Sequence, residues 1–407
     1  PMPLHLYRHA FSNLNRNIWI LSLAMFINRS GSMVLLFTTL YMTRDLHFSI
    51  AEAGFVMSFY GMGSVLGSYL GGWLTDRKNH FDIMVSALIS SGLILLSLLV
   101  ITTPAGMAAV IFIYALAADS FRPANAAAIA EYSTPENRTR SVGLMRLAVN
   151  LGFAVGPAVG GFVALYLGYR WLFVIDACTG FLAALMLFLY LPRPATIPGR
   201  HKNEVLADSS TSAYRDLRYL FFIALVAVYG TIFFQIFASI PQYFKTVSGY
   251  DEDRIGLLMA LNGILVVIIE MPLIAKLEKS KKIFRFIVIG VFCLPAAFAL
   301  LYFGEHRLSF AILYTFVITL SEIFAMPFMM NYALSRPKKE RQGQYSALYS
   351  IAYGIATIAA PSLGLGIADR YGFDRLFVIL IVSSLFLSLG FLWMAGKERT
   401  EHTESAG

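Results

Sequence analysis

The residues of this chain best placed to do chemistry are ionisable and amide side chains within long apolar runs. They are Asn28 and Arg29; Asp119, Arg122 and Asn125; Arg146 and Asn150; Gln235; Asn262; Glu270; and Glu322. Apolar surroundings make such groups costly to keep, so each is a functional candidate by default. A carboxylate there can load and release a proton, whereas arginine keeps its charge and holds an anion or a carboxylate partner. Glu270 and Glu322 have no basic neighbour in their own segment, so nothing local fixes either as a permanent anion. They are the leading candidates for proton carriage, with Asp119 third; a static salt bridge is the plain alternative for each acid. Asp119 and Arg122 are three apart, share a helix face and could pair. Asn28, Arg29, Arg122, Asn125, Arg146, Asn150, Gln235 and Asn262 are the candidates for holding a small polar molecule. Arg146 stands near the end of its run and can equally snorkel to water. Asp176 also lies near a segment end and is expected to touch only headgroups.

Other chemistries lack their residues. No string resembles a nucleotide phosphate loop, so ATP is not the expected energy source, and no His, Cys and acid set has metal-site spacing. Cys178 and Cys293 sit in apolar runs, which excludes a disulfide framework. No nucleophile constellation stands out, and an enzyme is not expected. Asn137-Arg138-Thr139 matches a glycosylation sequon but falls in a loop read below as cytoplasmic.

Membrane-length helices must position these groups. Only 14% of residues are charged, against about 25% in soluble domains. With 57% hydrophobic residues and a mean hydropathy of +0.66, most of the chain needs the bilayer as its solvent. The net charge of +8 does not point to nucleic acid, because the basic residues sit in short loops between apolar runs. The first 17 residues are polar and basic and the next run is long enough to span, so no cleaved leader is expected. Apolar runs of about 20 residues place spans 1 to 6 at 18–42, 51–74, 83–103, 106–131, 141–166 and 170–192. Spans 7 to 12 fall at 218–246, 254–275, 283–303, 308–334, 343–368 and 372–395. With the N-terminus inside, 22 of the 32 Lys and Arg lie on the cytoplasmic side and 7 on the other, which sets both termini in the cytoplasm.

Residues 1–192 form an N-terminal six-helix half, 193–217 a polar cytoplasmic linker, 218–396 a C-terminal half and 397–407 a charged cytoplasmic tail, expected to be unstructured. Displaced by 204 residues, spans 5 and 6 fall on spans 11 and 12 without a gap. Pro157 meets Pro361, Gly160 meets Gly364, Gly168 meets Gly372, and Leu172-Phe173-Val174-Ile175 meets Leu376-Phe377-Val378-Ile379. The same offset puts Pro123 on Pro327. The fold class is therefore an all-α membrane protein of twelve transmembrane helices in two pseudo-symmetric halves.

Two motifs sharpen that plan. The loop after span 2 reads Gly71-Gly72-Trp73-Leu74-Thr75-Asp76-Arg77-Lys78, and span 5 carries Gly152-x-x-x-Gly156-Pro157-x-x-Gly160-Gly161. The first resembles the Gly-x-Leu-Ala-Asp-Arg signature of the major facilitator superfamily, and the second is similar to that superfamily's antiporter motif. The resemblance covers essentially the whole chain. It implies the major facilitator fold, with a substrate site between the halves near the midplane. It also implies that the acid at Asp76 faces a helix N-terminus and latches one state, with Gly72 allowing close helix approach. Asn79-His80-Phe81 replaces the family's Gly-Arg-Lys, so the basic pair of the relay is missing. Small residues at four-residue spacing give span 5 a smooth packing face, and Pro157 bends it.

The drug/proton antiporter resemblance implies a proton-coupled exporter of small amphipathic compounds, driven by the proton motive force with no cofactor. A bacterial plasma membrane, a monomer and no nucleic acid partner go with it. Tyr60, Phe121, Phe234, Tyr349 and Tyr353 would suit a greasy cavity. The alternative is a symporter taking up a small metabolite such as a peptide. Phe26-Ile27-Asn28-Arg29-Ser30-Gly31 with Phe59-Tyr60-Gly61 faintly resembles proton-coupled peptide transporters, without the two glutamates that precede the arginine there.

Overall fold

Backbone crossing hydrocarbon must satisfy its own amides, and a helix does so within one segment. A computed structural model describes residues 14–31, 33–75, 77–134, 138–193, 213–277, 283–304, 306–335 and 342–404. Every regular element among the described residues is helical. In unit order, span 1 is Arg16–Gly31 with Val34–Arg44, span 2 Ile50–Thr75, span 3 His80–Ser97, and span 4 Pro104–Asp119 with Phe121–Tyr132. Span 5 is Arg138–Tyr166 and span 6 Arg170–Tyr190. Span 7 is Leu217–Phe233 and Ile240–Thr246 joined by a turn over Phe234–Ile236, and span 8 is Glu252–Leu277. Spans 9 to 12 are Ile283–Phe303, Leu308–Ser335, Gln342–Tyr371 and Phe373–Glu404. Eleven of these are long and apolar enough to cross a bilayer. Span 8, at 26 residues, is about 39 Å long and completes the expected twelve.

Three spans read as continuous are broken. Span 4 stops at Asp119 and resumes at Phe121. Pro123 has no N–H to give the carbonyl of Asp119, and its ring crowds that carbonyl. Span 1 breaks after Gly31, where Met33 N bonds back to Gly31 O at 2.6 Å. Span 7 breaks around Gln235, and Pro241 opens the next helix in its first turn. Gly31 and Gln235 are 204 residues apart, so the repeat carries its helix breaks at one position. The charged tail also departs from expectation: span 12 continues as helix to Glu404, consistent with its run of good helix formers at Lys397, Glu398 and Arg399. Most of the linker, residues 194–212, lies outside the described residues.

The chain divides into two compact units: residues 1–47, 59–202 and 251–267, and residues 48–58, 203–250 and 268–407. Inside the first, span 1 packs on spans 5 and 6, and span 3 packs on spans 4 and 6. Inside the second, span 7 packs on spans 11 and 12, and span 9 on spans 10 and 12. The repeat thus extends to helix pairing. Gly168 and Gly372, its partners before spans 6 and 12, both adopt the left-handed backbone, at φ 92° and 83°. Leu182, Leu185, Phe188 and Leu189 on span 6 are exposed while Phe173, Ala177, Ala183 and Leu187 are buried. A helix apolar on both faces suits lipid outside and protein inside.

Candidate substrate and proton site

Within the first unit, a cavity of about 90 Å³ is lined by Asn28, Arg29, Tyr60, Tyr114, Asp119, Arg122, Phe153 and Asp176 among others. A water needs roughly 10–15 Å³ by this measure, so several could fit. Two arginines and two aspartates share one wall set, with balanced formal charge.

Packing sets Arg29. A Cβ on Gly152 would stand 2.5 Å from the Cβ of Arg29, and one on Gly156 3.2 Å from the carbonyl oxygens of Arg29 and Ser30. One on Gly160 would stand 2.6 Å from the Cβ of Met33. The glycines expected to smooth span 5 therefore let span 1 lie on it, backbone to backbone. On the other side, Gly31 abuts Thr179 of span 6, whose Cβ would be 2.8 Å from an added methyl. The guanidinium then lies 5.5 Å from the ring centre of Phe153. Asp119 and Arg122 pair as their spacing predicts, Nε to Oδ1 at 2.7 Å, with Asp119 buried and Arg122 exposed. Their helix break sets both at the cavity. Tyr60 and Tyr114, ring centres 6.4 Å apart, are within electrostatic reach of Arg29, Asp119 and Asp176. Arg29 Nε, Asp119 Oδ2 and Asp176 Oδ2 are buried with no hydrogen-bond partner in the protein.

Asp176 corrects an expectation. It is 7% exposed, on the cavity wall rather than among headgroups. The missed signal was a stripe of span 6: Phe173, Asp176, Ala177, Gly180, Ala183, Ala184 and Leu187 recur at helical period and are all buried. Tyr114 was missed as well, since an aromatic in an apolar helix carries no signal of its own.

Asn28, Arg29, Asp119 and Arg122 are thus brought together, with Tyr60 and Phe121. Asn125 is buried, its Oδ1 without a partner, but does not line the cavity. Arg146 is exposed and Asn150 half-buried, and neither lines it. Gln235 is occupied elsewhere: its Nε2 donates to Thr231 O at 3.1 Å and Ala360 O at 3.0 Å, and Ser239 Oγ donates to its Oε1 at 2.6 Å. It clasps the break of span 7 to span 11. Asn262 is buried on span 8. Glu322 is half-buried on span 10, within electrostatic reach of Tyr229 and Tyr353. The Glu270 side chain and Asp76 lie outside the described residues.

In the loop motif, close approach falls on Gly71 rather than Gly72. A Cβ on Gly71 would come 2.7 Å from Ser120 Cα, whereas one on Gly72 meets nothing within 4 Å. The helix face, not the motif position, selects which glycine touches. Arg77 stacks on Trp73, 4.1 Å from its ring centre. Pro157 and Gly161 form a second seam of span 5, against the start of span 8: a Cβ on Gly256 would lie 3.1 Å from Gly161 Cα, and one on Gly263 2.9 Å from Ala154 Cα.

Beyond the spans, Tyr169 donates a hydrogen bond to the buried Glu252 carboxylate, and burial together with that bond pushes its phenol up. Partial burial, then Glu252, raises Asp45 above the usual carboxylate range. Tyr132, the last residue of span 4, donates to Pro192 O at 2.7 Å. No group of His, Cys, Asp and Glu among the described residues could hold a metal ion.

The sequence model of the Major Facilitator Superfamily matches residues 19–361. The chain belongs to that superfamily. It is a multi-pass membrane transporter. It is similar to the quinolone resistance protein NorA of Staphylococcus aureus, 22% identical over 385 residues, which cover 93% of this chain and 94% of the relative. Multidrug resistance protein 2 of Bacillus subtilis is 23% identical over 331 residues, 78% of this chain and 80% of that protein. Among solved structures, a POT family transporter in complex with 5-aminolevulinic acid superposes with a TM-score of 0.79 at 14% identity, covering 95% of this chain and 97% of the other. The nucleoside transporter NupG gives 0.76 at 17%, covering 94% and 99%. At these identities the structural likeness is one of fold. The superfamily transporter thus draws the charged groups of this cavity from spans 1, 4 and 6.

Proposed function

We propose that this transporter is a proton-coupled exporter of small amphipathic compounds, working by alternating access in a bacterial plasma membrane with both termini in the cytoplasm. The carrying observation is the cavity that joins Arg29, Asp119 and Arg122 within helices of membrane depth. The multidrug and quinolone resistance relatives, the latter matched along 93% of this chain, support export. Span 5, with glycine seams on two faces, suits a helix against which neighbours move.

In this reading Asn28, Arg29 and Arg122 hold the substrate. Protonation of Asp119 removes the charge that holds Arg122 at 2.7 Å, freeing the guanidinium for a substrate dipole. Glu322 and Glu270 are the further coupling acids, the proton motive force supplies the energy without a cofactor, and the working unit is a monomer. Uptake of a small metabolite is the second reading, favoured by Arg29 and Tyr60 sharing the cavity wall.

The test is accumulation of a fluorescent amphipathic dye by energised everted vesicles. Wild type should accumulate dye and lose it on adding a protonophore. Asp119→Asn should lose proton-driven accumulation while still binding dye. Absence of proton-dependent accumulation in wild type would overturn the exporter reading, and uptake into right-side-out vesicles would favour the second.

A further inference from the structure

The exporter reading leaves one acid of the cavity without a task. Asp176 is 7% exposed, lines the cavity, and its Oδ2 has no hydrogen-bond partner. Every element around it can be named. Of charged and polar groups, span 1 presents Asn28 and Arg29, span 2 Tyr60, span 3 Ser91, and span 4 Tyr114, Asp119 and Arg122, while span 5 adds Phe153 and no charge. Arg122 is already engaged by Asp119 at 2.7 Å. Arg29 is the cation acting on Asp176, yet its own Nε is buried without a partner, so the two charges face one space without closing a complete pair. A buried, incompletely paired carboxylate is costly unless a proton or a second cation neutralises it.

We propose that Asp176 is the acid at which a proton and a cationic group of the transported compound exchange, with Arg29 as the positioning charge. This rests on the proton-coupled exporter reading. In one state the carboxyl carries the proton. An incoming organic cation then pairs with the carboxylate as that proton leaves to water, one positive charge replacing another. Release of the cation on the other side lets a new proton bind. The unpartnered Oδ2 fits that alternation, and Tyr60 and Tyr114 line the same cavity within electrostatic reach of both acids.

The experiment uses the purified full chain in liposomes with ethidium as the cation. Wild type should bind ethidium more weakly as pH falls and accumulate it against a proton gradient. Asp176→Asn should bind about 10- to 100-fold more weakly, as expected for loss of one charge-assisted contact, and lose the pH dependence. Asp176→Glu, which keeps the carboxyl, should retain pH-dependent binding with a shifted midpoint, and Arg29→Lys should shift it too; these two serve if the asparagine variant does not fold. Wild-type affinity and pH dependence in Asp176→Asn, or unmoved midpoints in both conservative variants, would overturn the assignment while leaving the exporter reading intact. If wild type itself shows no gradient-driven accumulation, the exporter reading falls with it.

Discussion

Replacing Gly152 by alanine adds one methyl group where span 5 meets the backbone of Arg29. The new Cβ would stand 2.5 Å from the Cβ of Arg29 and 3.0 Å from its carbonyl carbon. Carbon atoms settle at about 3.5–4.0 Å, so the two helices must part by about 1 Å. Arg29 offers no relief by rotamer change, because the atoms met are its Cβ and backbone. Overpacking of this kind costs about 1–3 kcal/mol, against about 0.5–1 kcal/mol gained when alanine replaces a helical glycine. Gly143 sits in the same helix, and a Cβ there meets nothing within 4 Å. Gly143→Ala should therefore show the gain alone, and the two variants should differ by about 1–3 kcal/mol. A shift of about 1 Å in a positioned charge can also lower turnover by up to about 100-fold. Thermal unfolding in detergent should rank Gly143→Ala above wild type and Gly152→Ala below it, and everted vesicles should show transport lost only in Gly152→Ala. Equal melting and equal transport for the two alanines would refute the seam as the device that sets Arg29.

Gln235→Leu should destabilise the protein by about 1–3 kcal/mol, since Ala360 O and Ser239 Oγ lose their partner in a buried setting; unchanged thermal unfolding would show the clasp to be dispensable. Asp45 has a folded-state pKa raised above its ordinary 3.8 by burial, then by Glu252, so the native state binds its proton more tightly than the unfolded chain does. Stability therefore falls as pH rises through the window from 3.8 to the raised value. Asp45→Asn should melt higher than wild type at neutral pH and lose that advantage below about pH 4. A gain that persists in acid would contradict the sign, and solvent screening at this exposed position keeps the effect small.

Much of the fold was legible because hydropathy and charge act locally. Twelve apolar runs, the basic bias of the loops and the 204-residue repeat need only the order of residues along the chain. Arg29, Asp119 and Arg122, which line the cavity, were legible as candidates for the same reason, since a charge in an apolar run announces its own cost. The breaks in spans 1, 4 and 7 were harder, because runs of this kind read as uninterrupted until the backbone fails at Gly31, Asp119 and Gln235. The tail misled in the opposite direction: its charges suggested an unstructured segment, yet the helix of span 12 propagates to Glu404.

The sequence by itself determined that this is a helical membrane protein with an internal repeat, the superfamily it belongs to, and which charges are out of place in hydrocarbon. Only the tertiary structure decided which of those charges meet. Asp176 shares a cavity wall with Arg29 because span 6 turns its buried stripe toward span 1, although its place along the chain suggested headgroups. Gln235 looked like a ligand and is held as a clasp between spans 7 and 11. Gly71, not Gly72, takes the contact with Ser120. In each case position along a helix reports depth in the membrane, while the direction a side chain faces is settled by which neighbour the helix packs against.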